Sequence, residues 1–426
     1  MKKKDQFNLL LIESQEKVDK INKAFYGRFN FPWPPISFQY FSDQHFGVNM
    51  LNQDTGNWKN DRIPGNPKIW VAGCGTNQAI YTALTFPNAE ILGTDISTQS
   101  LETCKNSANQ VGIKNLELEE KSINNVTYRE KFDYIICTGV IHHNANPIVP
   151  LKRLATALKP NGILELMVYN YYHRLLTTAY QKAIRTLCGD GSSMNLDLEL
   201  SITEKLIKKF PMQNLMSNFL SNYKNSHKAE LADALLQPVE HSNTIKSLEE
   251  MITNCNLEFL LHCINKYDKD ANRLTWNMKF NDAELDNYYE SLTDSHRWQI
   301  SNLLMFNDSP LLWFYLQRKD SFYKRKTEKQ TCEDFLDTKF EKYTTTVKNY
   351  VRDNDGKYRL NPTPVSFPSP SMPPDDLSRR IFNFIDKNLS MRDIFRKLKL
   401  ETSFHKVNYV RINLTTKAFP YIKAVT

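Results

Sequence analysis

The stretch IWVAGCGTNQAIYTALTFPNAEILGTDIS, Ile69 to Ser97, holds two short apolar runs separated by a glycine turn and a helix-like segment. Lys68 to Ala72 and Glu90 to Thr94 read as buried strands, and Asn77 to Phe86 as the helix between them. Gly73 and Gly75 leave no Cβ between the backbone and a bound molecule. The helix begins near Thr76, so its first amides face that molecule. Asp95 closes the second strand, where a carboxylate accepts both hydroxyls of a ribose. The turn is GCGTN: the third glycine of a dinucleotide fingerprint is missing, and no Lys-Ser/Thr follows to make a P-loop. A structural alternative gives the glycines only a turn and Asp95 only a helix cap near Gln99.

The same alternation continues outward. A helix is expected over Gln99 to Val111, a strand over Leu116 to Glu119, and a third polar turn at Glu120 to Ile123. FDYIIC (Phe132 to Cys137) reads as a strand, Pro150 to Leu158 as a helix, and Ile163 to Val168 as a strand after the turn Lys159 to Gly162. Strands alternating with helices at this spacing mean βαβ units, a parallel sheet and helices on both faces. Arg174 to Lys228 is helical in pattern with a polar break at Gly189 to Asn195. LEFLLH (Leu257 to His262) and LLWFYL (Leu311 to Leu316) are two further strands flanking a polar insert, with a helix from Asp282.

The ordered set VAGCGTN, GTDIS, FDYIICTGVIHH and LKRLATALKPNGILELMVY resembles the class I S-adenosylmethionine-dependent methyltransferases. The resemblance covers roughly residues 60 to 320. It implies a doubly wound, mostly parallel seven-stranded Rossmann-like sheet with helical insertions near 174–235 and 266–302, and S-adenosyl-L-methionine as cofactor. It implies that Ala72, Gly73, Cys74, Gly75 and Asn77 form the turn around the methionine moiety. Asp95 would hold the ribose, Ile96, Ser122 and Ile123 the adenine, and Thr138 and Gly139 the pocket floor. Two positions depart from the family pattern: Asn77 replaces a frequent glycine, and Ser122 stands where an aspartate commonly meets the adenine amine.

His142, His143 and Tyr169 follow the fourth and fifth strands, beside the expected methyl group, and are the candidate catalytic residues. Histidine titrates near neutrality and suits a proton acceptor, although a helix cap or a loop contact would also account for it. Asp233 and Gln237 to His241 resemble a segment that folds over the cleft in relatives. FNFPWPPISFQYFSDQHF, within an N-terminal segment of residues 1–66, is too rich in proline for a long helix. It supplies the lid candidates Trp33, Phe38, Tyr40 and Phe41.

Composition narrows the setting. The chain has 426 residues, 41% of them hydrophobic, and a formal charge of +8 with acids interspersed among the bases. That balance favours a solvated surface over a nucleic-acid footprint. The four-residue apolar stretch before Glu13 is too short for a signal-peptide core, and no run approaches the ~20 residues of a membrane span. The seven cysteines lack CxxC spacing. A cytoplasmic protein with no metal site and no membrane partner is expected. Residues 353–376 are rich in proline and serine and read as a linker. A fragment ending near Lys329 is therefore expected to stay folded. Beyond the linker, two short helices and VNYVRINL as a strand suggest a small winged-helix-like α+β tail over 377–426, more a packing appendage than a nucleic-acid reader.

The expected function is methyl transfer to a nucleophilic O or N of a small molecule or peptide. A catalytically silent nucleotide- or nucleic-acid-binding scaffold and an RNA methyltransferase are the alternatives. The acceptor and the oligomeric state are not specified by these motifs.

Overall fold

The computed structural model describes residues 14–29, 31–189 and 195–425. The first thirteen residues, with the apolar stretch before Glu13, and the middle of the polar break after Gly189 lie outside them. Helix α1 (Gln15–Arg28), strand β1 (Ser37–Phe41) and α2 (Phe46–Asp54) lead into the alternation. It runs β2 (Lys68–Ala72), α3 (Gln78–Thr85), β3 (Glu90–Asp95), α4 (Thr98–Val111), β4 (Leu116–Glu120), β5 (Phe132–Thr138), α5 (Ile148–Ala157) and β6 (Leu158–Val168). Next come α6 (Leu175–Gly189), α7 (Leu196–Lys208), α8 (Leu215–Ser221), α9 (Lys228–Leu235) and α10 (Ile245–Thr253), ahead of β7 (Leu257–His262). Then α11 (Lys266–Asp270), α12 (Ala283–Ser291) and α13 (Asp294–Met305) precede β8 (Leu312–Arg318). The C-terminal part holds α14 (Glu328–Asp337), β9 (Phe340–Lys342), β10 (Thr345–Arg352), β11 (Tyr358–Phe367), α15 (Asp376–Asn383), α16 (Met391–Lys397), α17 (Phe404–Thr415) and β12 (Ile422–Ala424).

The main sheet has the order β4-β3-β2-β5-β6-β8-β7. Only β8 runs antiparallel to its neighbours. This is the seven-stranded, mostly parallel sheet expected. The chain order reverses between β2 and β5, so a crevice opens at the C-terminal ends of those strands, directly after the glycine turn. One face packs Leu151 and Leu154 of α5, Leu248 of α10 and Trp298 of α13 against Ile135, Leu164 and Phe314. The other packs Ile80 of α3 and Leu101 of α4 against Ile69, Val71 and Ile91. Local signals set the ends of α4: the Ser97 hydroxyl accepts from the Ser100 amide, and Gly112 ends the helix at φ +74.

The C-terminal third departs from expectation. Residues 353–376 are not a free linker, because β11 pairs with β10, which pairs with β1, in a three-stranded antiparallel sheet. VNYVRINL is not a strand: it lies within α17, which buries Val407, Val410 and Leu414 at helical spacing. With α17 helical and β12 paired to β9, the tail is three helices fastened to a two-stranded ribbon rather than a winged helix. Its core joins Ile381, Phe395, Val410 and Ile422 to Phe335 of α14 and to Trp58 and Ile264 from the first two thirds of the chain. The Gln53 side chain donates to the Thr415 and Ile422 carbonyls at 2.7 and 3.0 Å, and the Lys417 amide donates to Asp54 at 2.9 Å. A fragment ending near Lys329 would strip these partners from α2 and β1.

Candidate active site

The turn after β2 has the geometry the glycines promise. Gly73 and Gly75 sit at φ +69 and +54. A Cβ on Gly73 would lie 2.4 Å from the Val140 side chain, and one on Gly75 would lie 2.8 Å from the Phe31 carbonyl oxygen. The Asp95 carboxylate accepts the Gly75 amide at 2.8 Å and the Ser97 amide at 2.9 Å. Burial raises its pKa, and these amides oppose the rise. Ser97, not Asp95, caps α4 through its side chain. A carboxylate holding one amide on each oxygen keeps lone pairs free for further donors.

The turn opens into a cavity of about 1180 Å³. Gly73, Cys74, Gly75, Asn77, Asp95, Ile96, Ser122, Ile123, Thr138 and Gly139 all line it, as do His143 and Tyr169. Ala72 does not line it; its side chain belongs to the core beneath the sheet. His142 is also absent from the lining: it is fully buried, 3.9 Å from the Tyr169 ring centroid, with neither ring nitrogen hydrogen-bonded. His143 Nδ1 lies 2.7 Å from the Val239 carbonyl oxygen. Burial lowers both imidazoles, His143 to about 4, so both are neutral at pH 7. His142 therefore packs, and His143 holds the segment Gln237 to His241 through the Val239 carbonyl; no residue of that segment lines the cavity. Asn170 is structural, bonded to Ser309 at 3.0 Å.

The aromatic segment before β1 is stitched over the turn. The Thr76 hydroxyl donates to the Pro32 carbonyl, and the Asn77 side-chain amide to the Trp33 carbonyl at 3.2 Å. Phe31 and Trp33 wall the cavity. Phe38 instead belongs to the core, with Tyr40 packed against it. Phe41 lies 4.0 Å from Phe46 in a parallel stack that lines the far end.

Among the lining residues not singled out in the sequence, Asp19, Asn22 and Tyr26 all lie on α1. Their spacing of three and four places them on one helical face. The signal available was a polar stripe along a helix that also carries buried apolar residues. Asp19 answers the departure at Ser122: the Ser122 hydroxyl donates to Asp19 at 2.6 Å, and the Asn124 amide stands 3.4 Å from the other oxygen. A carboxylate thus reaches the end of β4 from another element. Asn22 donates to the His143 carbonyl at 2.6 Å, and the Gln237 amide donates to the Tyr26 hydroxyl at 2.6 Å.

Comparison with known proteins agrees with this geometry. A family model described as a methyltransferase domain matches residues 71–216. The chain carries a methyltransferase domain of the class I superfamily. An uncharacterized protein of Synechococcus is 28% identical over 247 residues, covering 56% of this chain and 58% of that relative. One of Rickettsia prowazekii is 29% identical over 205 residues, covering 45% and 75%. Among solved structures, PKMT2 from Rickettsia typhi in complex with AdoHcy superposes with a TM-score of 0.57 at 16% identity, over 92% of this chain and 77% of that one. At that identity the likeness concerns the fold. S-adenosylmethionine, the cofactor of this superfamily, fits the turn on its own merits: two positions where a Cβ has no room, and a buried carboxylate with lone pairs to spare. Among the described residues no group of histidines, cysteines and carboxylates is arranged to hold a metal, and no helix is long and apolar enough to cross a membrane.

Proposed function

We propose that this chain transfers a methyl group from S-adenosylmethionine to a nucleophilic O or N of a small molecule or peptide by in-line displacement. The observation that carries this reading is the continuity of one cavity from the glycine turn and Asp95 to a chamber walled by Tyr26, Trp33 and Tyr169. The bound cofactor supplies an electrophilic methyl carbon on a sulfonium. The residues of the chain then have three tasks. Gly73 and Gly75 bring backbone within reach of the methionine part, and Asp95 holds the ribose. Asp19 and Ser122 face the adenine end. Phe31, Trp33 and Tyr26 exclude water and align the acceptor, and alignment alone supplies much of the rate of such a displacement.

Calorimetry with S-adenosylhomocysteine tests the reading. Wild type should bind, and Asp95→Asn should weaken binding about ten- to hundred-fold, from the loss of charge-assisted bonds worth about 1.5–3 kcal/mol. Equal binding by both folded proteins would reject the ribose role. Absence of binding by wild type would leave the scaffold reading.

A further inference from the structure

The chamber beside the glycine turn is lined by a carboxylate that has no hydrogen-bond partner among the described residues. Asp233, on α9, lines the cavity. Its neighbourhood contains Arg174 and Glu240, and the hydroxyls of Tyr26 and Tyr169 face it from α1 and from the end of β6. Among the described residues no hydrogen bond reaches its oxygens. Arg174 acts on it only through space: its guanidinium grips Glu240 through two bonds, one of them 2.6 Å from Nε to Oε1, and a further N–H donates to the Ala234 carbonyl at 3.1 Å. His142 and His143, beside Arg174, are held neutral by burial. With Asp233 ionised, the group of Arg174, Glu240 and Asp233 carries one net negative charge at the edge of a chamber lined by aromatic residues.

A half-buried carboxylate with no hydrogen-bond partner is costly to ionise, and a cation bound beside it offsets that cost. The walls suit a cation as well. Tyr26, Phe31, Trp33 and Tyr169 line the same space, the Tyr169 ring already carrying the Arg174 guanidinium 4.5 Å from its centroid. The Trp33 ring centroid lies 5.0 Å from that of His227, the N-cap of the helix that carries Asp233, so lid and carboxylate are fixed to one another.

We propose that the acceptor is an aliphatic amine, entering as its ammonium ion, and that Asp233 both anchors it and takes its proton. This rests on the methyl-transfer reading above and names the acceptor class of that same site. An ammonium has no lone pair and cannot be methylated. One N–H proton passes to a carboxylate oxygen of Asp233, leaving a neutral amine. The nitrogen lone pair forms the N–C bond to the methyl carbon while the C–S bond breaks and its electron pair stays on sulfur. The products are a methylated ammonium and a neutral thioether, with the proton on Asp233 released to solvent when they leave. Burial pushes the Asp233 carboxyl up to about 7, where it exchanges a proton readily at neutral pH.

The test uses the full chain loaded with S-adenosylhomocysteine and titrated with two probes of equal length, n-butylamine and butan-1-ol, with binding followed by NMR or calorimetry. Wild type should favour the amine by at least about ten-fold, the scale of a charge-assisted bond. Asp233→Asn should abolish that preference and keep its affinity for S-adenosylhomocysteine within a few-fold. Asp233→Glu should restore part of the preference. Equal affinity of wild type for amine and alcohol would overturn the proposal without any variant, and so would an unchanged preference in Asp233→Asn. Failure of S-adenosylhomocysteine to bind wild type would instead reject the methyl-transfer reading on which the proposal stands.

Discussion

The βα units from Lys68 to Val168 and the C-terminal part from Glu328 to Ala424 reach their folds by different routes. In the first, β2, β3 and β5 are apolar runs, β4 alternates, and α4 carries its own start and stop in Ser97 and Gly112. Local pattern and final structure agree there, except that β6 begins at Leu158 and takes in the turn expected at Lys159 to Gly162. In the second, the same sequence grammar points two ways. VNYVRINL is rich in β-branched residues, yet it is helical, because Val407, Val410 and Leu414 face Phe335 and Ile381 in one core. There Asn408 and Arg411 are buried as well, and Arg411 donates to the Asn408 side chain at 2.7 Å. The proline-rich stretch that resembles a linker finds a partner edge in β10 and becomes β11. Where the partner is distant in sequence, local pattern loses its authority.

Truncation after Lys329 would be the severest challenge to this contrast. It removes the strand paired with β1 and the backbone partners of Gln53 and Asp54, and it bares Trp58 and Ile264. The fragment should fail to give a cooperative unfolding transition by calorimetry. A sharp transition with intact S-adenosylhomocysteine binding would make the C-terminal part a separable domain after all.

Next in size is Phe335→Ala, which empties a fully buried site of the C-terminal core. The loss should be about 3–5 kcal/mol in denaturant unfolding. If the two regions fold as one unit, Leu164→Ala in the main sheet should lower the same single transition. Two transitions that respond separately would break the comparison.

His143 provides a smaller effect, with a defined sign. Its folded pKa, near 4, lies below the unfolded value of 6.5. The neutral imidazole is the folded form, so its contribution is complete above pH 6.5 and is lost as pH falls toward 4. At about 1.4 kcal/mol per pH unit, the loss is at most about 3.5 kcal/mol. His143→Gln should flatten that part of the stability–pH curve, and an unchanged curve would place the buried proton elsewhere.

The smallest change concerns the end of β4, where the proposed reading puts the adenine. Asp19→Asn keeps the shape beside Ser122 and removes the charge, and should cost about 1 kcal/mol in S-adenosylhomocysteine affinity, a few-fold in Kd. No change would mean that Asp19 only anchors α1 to Ser122.

The sheet, its strand directions, the glycine turn and Asp95 were all readable in the chain itself. Each depends on residues within one βα unit, where period, glycine and cap act over a few positions. Even the doubtful Ser122 was visible as a departure, though not what compensates for it. Tertiary structure alone decided that Asp19, Asn22 and Tyr26 come from α1 to wall the cavity, that His142 packs while His143 lines, and that residues 358–367 pair with β10. It also left Asp233 facing open space while Arg174 closed on Glu240. Those outcomes turn on which surfaces meet and which polar groups find partners once water is excluded. The free energy of burying a charge or satisfying an amide depends on neighbours that a linear sequence does not place together.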